Sequence, residues 1–189
     1  MRVKWRHEFD VAQLLTQQGV ESFVAKRIEL VSTPSAPRHK QKKEVVVIPE
    51  IVFVHSTHRF LNDFLRLLTV RHHYVVYFAT TTDNAHRTIM IVPDKQMESF
   101  IQVAKHYEQD IRYFSPDDLS LSQGDTVRIC GGPFDGAIGT LTRIKGQRDK
   151  RVFVKIENIA TVVTAALEPE YIEVLSSAHT PKSKRTNIS

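Results

Sequence analysis

Cysteine is nearly absent from this chain: Cys130 is the single thiol in 189 residues. That excludes an internal disulfide and a cysteine cluster for zinc, fits a reducing compartment, and leaves the fold to stand on packing alone. Long apolar runs are missing as well. None approaches the roughly 20 residues that cross a bilayer, and the start, MRVKWRHEFD, lacks a signal-peptide core. The expectation is a soluble, cytoplasmic protein with no membrane partner. An excess of acid is also lacking. Lys and Arg number 26 against 21 Asp and Glu, a net charge of +5, which permits attraction to polyanions by counterion release without requiring it.

What is present suffices for packed cores, with 41% hydrophobic and 25% charged residues. Glycine divides the chain. Gly19 stands alone in the first 123 residues, whereas Gly124, Gly131, Gly132, Gly136, Gly139 and Gly146 crowd together after them. The polar stretch YFSPDDLSLSQ lies just before this change and reads as a linker. The division that follows is a first domain over 1–112 with a basic loop at 32–44, a linker at 113–122, a small β-domain at 123–175, and a disordered basic tail at 176–189.

In the first part, Phe9, Ala12 and Leu15 suit a short helix, widened by Val11 and Leu14 and closed by Gly19. VESFVAKRIELV is strand-compatible, and STPSAPRHKQKKE has the composition of an exposed loop that need not be ordered. Pro49 interrupts the β-branched run EVVVIPEIVFVHS, so Ile51–Val54 is expected to form a central strand beyond it. Thr57 caps a helix carrying Phe60, Leu61, Phe64, Leu65 and Leu68 at three- and four-residue steps. Tyr74–Phe78 and Thr88–Val92 read as strands joined by the turn TTTDNAH. A last helix begins at Pro93 or Asp94, with Met97, Phe100, Ile101 and Ala104 buried. The fold class is α+β, an α/β sandwich around one sheet.

The second part lacks a helical period. TVRIC, AIGTLTRI, RVFVKI, TVVTAAL and YIEVL are five short strand candidates separated by turns, the pattern of a small SH3-like β-barrel. Residues 124–144, GDTVRICGGPFDGAIGTLTRI, resemble the KOW motif of NusG-type transcription factors through Gly124, Asp125, Val127, Gly132, Phe134, Gly136 and Gly139. The glycines there supply positive φ or close approach at a tight turn, and Phe134 plugs the barrel end. The first part is similar to the NusG N-terminal domain along its length. Trp5, the first helix, IPEIVFVHS, the helix after it and IVPDKQMESFI stand in that family's order, with Glu50 where the family usually has glycine.

The resemblance implies a factor that rides RNA polymerase. Its N-terminal domain would bind the clamp helices through an apolar patch that includes Trp5, Ile51 and Phe53. Basic residues on the cleft side, Arg59, Arg66, Arg71, His72 and His73, would approach non-template DNA. The barrel would meet a termination factor or a ribosomal protein around Gly132, Phe134, Gly136, Gly139, Asn158 and Ile159. The long basic insertion, the missing glycine and the basic tail point to a specialised paralogue of the capsule and exopolysaccharide operon antitermination kind, acting as a monomer. A His-Thr-Thr contact that one specialised branch makes with non-template DNA is replaced by Asn62, Asp63 and Phe64. Asn158, Ile159 and Ala160 depart from the family's Phe-Gly-Arg-type loop, which puts the usual barrel partners in doubt.

Other readings of the same residues stay open. A general factor that couples polymerase to termination or to the ribosome is one. A ribosome- or RNA-associated KOW module is another, drawing on Arg128, Arg143, Lys145, Arg148, Lys150, Arg151 and Lys155 to meet phosphates. His55 with His58, and His72 with His73, lack the geometry of a metal site. Asp117 and Asp118 sit in the linker, where nothing would shift a carboxyl for acid catalysis. Cys130 lacks a base beside it, and GGPFDG lacks the lysine and following helix of a P-loop. No enzyme, cofactor or metal is expected.

Overall fold

A computed structural model of the chain describes all residues except 5–6, 34–35, 73–75, 84–85, 116–123, 143–148 and 178–189. Most of the expected linker and nearly all of the expected tail therefore lie outside the described residues. The chain divides into two compact units, residues 1–94 with 158–160, and residues 95–157 with 161–189.

The first unit runs β1 (Arg2–Val3), α1 (Glu8–Gln17), β2 (Glu21–Phe23), β3 (Lys26–Thr33), β4 (Ala36–Val46), β5 (Phe53–His55), α2 (His58–His72), β6 (Val76–Tyr77), β7 (Thr80–Asp83) and β8 (His86–Ile89). Helix α1 buries Glu8, Val11 and Leu15, one stripe at helical spacing. Gly19, at φ +70°, lets the chain turn back, and the Val20 amide then closes onto the Leu15 carbonyl at 3.0 Å. The Thr57 hydroxyl accepts the Phe60 amide at 3.3 Å and caps α2 as expected. One core gathers Val3, Val11, Leu15, Val24, Val52, Phe64 and Leu68 from these elements.

Among the described residues, the strands of this unit form two-stranded antiparallel pairs, β1 with β6, β2 with β5, β3 with β4 and β7 with β8. The expected central strand at Ile51–Val54 is shortened to Phe53–His55, and Ile51 makes only an isolated bridge to Arg2. The cause is local. Pro49 has no amide to donate, and Glu50 takes φ +62°, so the extended chain is broken between β4 and β5. The basic loop expected at 32–44 is instead mostly the strand β4, paired residue by residue with β3. A ribbon with both faces in water needs no apolar alternation, so its composition reads as loop. Likewise TTTD, expected as turn, is the strand β7.

The second unit contains α3 (Asp94–Ala104), β9 (Arg112–Phe114), β10 (Thr126–Ile129), β11 (Ile138–Thr142), β12 (Arg151–Ile156), β13 (Ala160–Val163), a 3-10 turn at Pro169–Tyr171 and β14 (Ile172–Ser176). Its sheet has six strands in the order β14-β10-β11-β12-β13-β9. All five strands expected after residue 123 are present. The sixth, β9, was not anticipated: Arg112, Tyr113 and Phe114 pair antiparallel with Val163, Val162 and Thr161. Helix α3 buries Ser99, Phe100, Val103 and Ala104, whereas Met97 and Ile101 of the expected stripe are half-buried.

Candidate functional site

The glycine-rich turn between β10 and β11 is closely built. Gly136, at φ +84°, donates its amide to the Ile129 carbonyl at 2.8 Å, a backbone conformation that side chains resist. The Asp135 carboxylate accepts the Gly131 amide at 2.6 Å and ties the loop together. One turn later, a Cβ on Gly139 would strike the Phe153 carbonyl and Val152, so strand β11 approaches β12 too closely for any side chain there. Phe134 is 2% exposed, under the edge of the His106 ring at 5.7 Å. It is a core residue of this unit rather than a surface contact.

Helix α3 is fastened to the sheet by polar groups. Ser99 Oγ accepts the Ile138 amide at 3.1 Å, and Gln96 donates to the Lys155 carbonyl at 2.6 Å. The Tyr113 phenol, pushed above its ordinary pKa by burial, lies 3.5 Å from the Ala104 carbonyl. Arg151 is buried at 4% exposure and donates to the Thr164 carbonyl at 3.0 Å and to both the carbonyl and the carboxylate of Asp110 at 3.1 and 3.0 Å. Those bonds hold the Asp110 carboxyl below its ordinary pKa. Arg151, expected among the bases for phosphate contact, is instead held inside the unit by these bonds. Arg128 pairs with Glu173 at 3.1 Å and Lys155 with Glu157 at 2.9 Å. Three of the seven candidate phosphate-binding bases of this segment are thus matched by acids of the same unit. Arg143, Lys145 and Arg148 lie outside the described residues.

Of the other residues expected around this turn, Gly132 is exposed at φ +68°. Asn158 is exposed at φ +58°, a conformation asparagine tolerates better than most residues, and Ile159 beside it is half-buried. Cys130 is exposed, with its thiol 3.7 Å from the Glu173 carboxylate. Desolvation and that carboxylate raise its pKa, the opposite of what a nucleophile needs.

In the first unit, the expected polymerase-facing residues are placed less openly. Trp5 lies outside the described residues. Ile51 and Phe53 are 6% and 8% exposed, and Phe53 lies against the Phe23 ring with centroids 6.5 Å apart. The Pro49–Glu50 turn immediately precedes them, and Ile51 bridges Arg2 of β1. The Glu50 amide donates to the carboxylate of Glu8, itself 1% exposed, at 2.7 Å, and the Glu50 carbonyl accepts from the Val3 amide at 2.9 Å. Nothing in the sequence flagged Glu8, because acids in a first turn, here Glu8 and Asp10, ordinarily serve the helix dipole.

On α2, Arg59 and Arg66 are exposed and seven residues apart, hence on one face. Asn62 and Asp63 are exposed between them, and Asp63 puts a negative charge in the same stripe. Phe64 is 5% exposed, in the core, with its ring stacked on Phe60 at 5.9 Å. Arg71 and His72 end the helix backbone, and His73 lies outside the described residues. Among the described residues no group of three His, Cys, Asp or Glu side chains could hold a metal, and no helix is long and apolar enough to cross a membrane.

A family model described as the KOW motif matches residues 123–157. That span runs from just before β10 to the end of β12 and includes the turn described above. No curated protein matches the chain. The second unit therefore carries a KOW motif, which is compatible with a NusG-like or a ribosome- or RNA-associated module.

Proposed function

We propose that this chain is a NusG-type transcription elongation factor, acting without catalysis or cofactor. In this reading the first unit binds the clamp helices of RNA polymerase, and the chain promotes antitermination on particular long operons. The supporting observation is the association, in one chain, of a KOW turn with an upstream α+β unit whose Pro49–Glu50 turn adopts left-handed backbone at the position where the resembling family carries glycine. Keeping that backbone without the glycine costs roughly 1–2 kcal/mol, and the buried Glu8 carboxylate offsets part of it. A conformation held at such cost fits a turn whose shape is needed, here beside the strand expected to face polymerase.

The partner of the KOW unit in this reading is a protein, with the departure at Asn158 and Ile159 separating it from the usual termination-factor and ribosomal partners. A general elongation factor is the alternative within the same class. The RNA-associated reading is weaker, because Arg128, Arg151 and Lys155 are engaged by Glu173, Asp110 and Glu157. Deleting the gene and profiling transcripts along long operons tests the proposal. Loss of distal transcript from one or a few operons, with promoter-proximal levels kept, is expected. Changes at termination sites genome-wide would favour the general factor, and an unchanged elongation profile would overturn both.

A further inference from the structure

The β3–β4 ribbon carries a charge pattern that the polymerase reading does not use. Between residues 26 and 46 stand Lys26, Arg27, Arg38, Lys40, Lys42 and Lys43 against only Glu29 and Glu44. Both acids are engaged near the β3 start. Lys26 reaches Glu44 at 2.7 Å, and Arg27 pairs with Glu29. Lys40, Lys42 and Lys43 are exposed and make no ion pair among the described residues.

Register determines how these lysines are displayed. Lys42 lies opposite Leu30 and Lys40 opposite Ser32, so the two lysines share one face at a step of about 6.7 Å. Leu30, 60% exposed, and Ile28, 40% exposed, lie on that same face. Lys43, opposite Glu29, is on the other face. The ribbon pairs with no further strand among the described residues; its base packs toward the core through Val46, while residues 27–28, 30–32 and 40–44 are exposed. On this face exposed cations of β4 stand beside exposed apolar side chains of β3, and Glu44, opposite Ile28, is engaged by Lys26. Cations beside apolar groups match the edge of a nucleic-acid groove, where phosphates flank base edges and thymine methyl groups.

We propose that this ribbon is a docking surface for duplex DNA, seated in the major groove with Lys40, Lys42 and Lys43 on the flanking phosphates. The B-form major groove, about 12 Å wide, admits a two-stranded ribbon. The major groove of A-form RNA is deep and narrow and does not. The proposal goes beyond the reading above and does not require polymerase, so either can fail alone.

The test is fluorescence anisotropy of the full chain with a mixed-sequence DNA duplex across a salt series, repeated with a duplex RNA of the same sequence. The triple variant Lys40→Glu, Lys42→Glu, Lys43→Glu is compared with Lys4→Glu, Lys95→Glu, Lys105→Glu, which changes net charge equally at exposed lysines elsewhere. Circular dichroism verifies that both variants are folded. The ribbon variant is expected to lose at least about 30-fold in DNA affinity at low salt, and its log–log salt slope to flatten by about 2.7, the value for three phosphate contacts. The control variant should lose only a few-fold. Equal losses in both variants, equal binding of DNA and RNA, or no binding by the parent chain would each overturn the proposal. If the lysines serve only to keep the ribbon edges from pairing, the ribbon variant will bind DNA like the parent and self-associate, which also overturns it.

Discussion

Two turns in this molecule meet the same backbone demand by different means. In the second unit, the chain passes between β10 and β11 through glycines, with Gly136 at φ +84°. In the first unit, the turn between β4 and β5 places Glu50 at φ +62° and secures it from afar, by the carboxylate of Glu8, 42 residues away in sequence. The glycine solution is local and can be seen in the sequence. The glutamate solution depends on a tertiary contact, so the sequence shows only the departure and not what compensates for it.

The largest effect in the second unit is expected just beyond the turn, at Gly139 of β11, where close strand approach rather than left-handed backbone demands glycine. Its replacement by valine puts a branched side chain against the Phe153 carbonyl and Val152 and should cost the second unit about 3 kcal/mol or more. Chemical denaturation should show that loss. Next comes Arg151→Ala, which empties a buried site and removes the donors to the Thr164 and Asp110 carbonyls. A loss of about 2–4 kcal/mol is expected by the same measurement.

In the first unit, Glu8→Ala leaves the Glu50 amide without its acceptor and should cost about 1–3 kcal/mol. Glu50→Gly runs the other way. It relieves a left-handed residue at the cost of glycine's greater unfolded freedom, for a net gain of up to about 1 kcal/mol in thermal denaturation. If Glu50→Gly destabilises, the left-handed turn is not a strained one. The double variant sharpens the comparison further: with glycine at 50, the loss from Glu8→Ala should persist, because the amide still needs its acceptor.

The smallest effect concerns acid. The carboxyl of Asp110 is depressed by its hydrogen bond to Arg151, so the folded second unit binds this proton less readily than the unfolded chain. Its contribution is complete above the ordinary carboxylate range and is lost as pH falls through the lowered folded value. Asp110→Asn should therefore flatten the acid limb of a stability profile and leave the limb between pH 5 and 8 unchanged. Because the side chain is 62% exposed, the change is small.

How much was legible follows from where each signal resides. The five strands after residue 123 were, because β-branched runs separated by glycine turns are local patterns, and the KOW match covers three of them. The two capped helices of the first unit were legible for the same reason. Strand β3 falls largely within a stretch that reads as strand-compatible, but β4 was not legible, since its basic residues carry no period that distinguishes strand from loop. Strand β9 was hidden because three residues, Arg112–Phe114, are too few to show alternation. At the candidate interfaces, Arg59 and Arg66 are exposed, whereas Phe134, Ile51 and Phe53 are buried. An aromatic or β-branched residue in a short strand reads alike whether its face is core or contact surface, and only the packing distinguishes them.

The proposed function rests on the first unit binding polymerase, and direct binding tests it most simply. Purified full-length chain is titrated with core RNA polymerase, with an excess of a separately folded clamp-helix fragment as competitor, for the parent and for Trp5→Ser. The account predicts a saturable complex that the clamp-helix fragment displaces and that Trp5→Ser weakens at least tenfold. A chain that is folded yet forms no complex with polymerase, or one that the fragment does not displace, would contradict it.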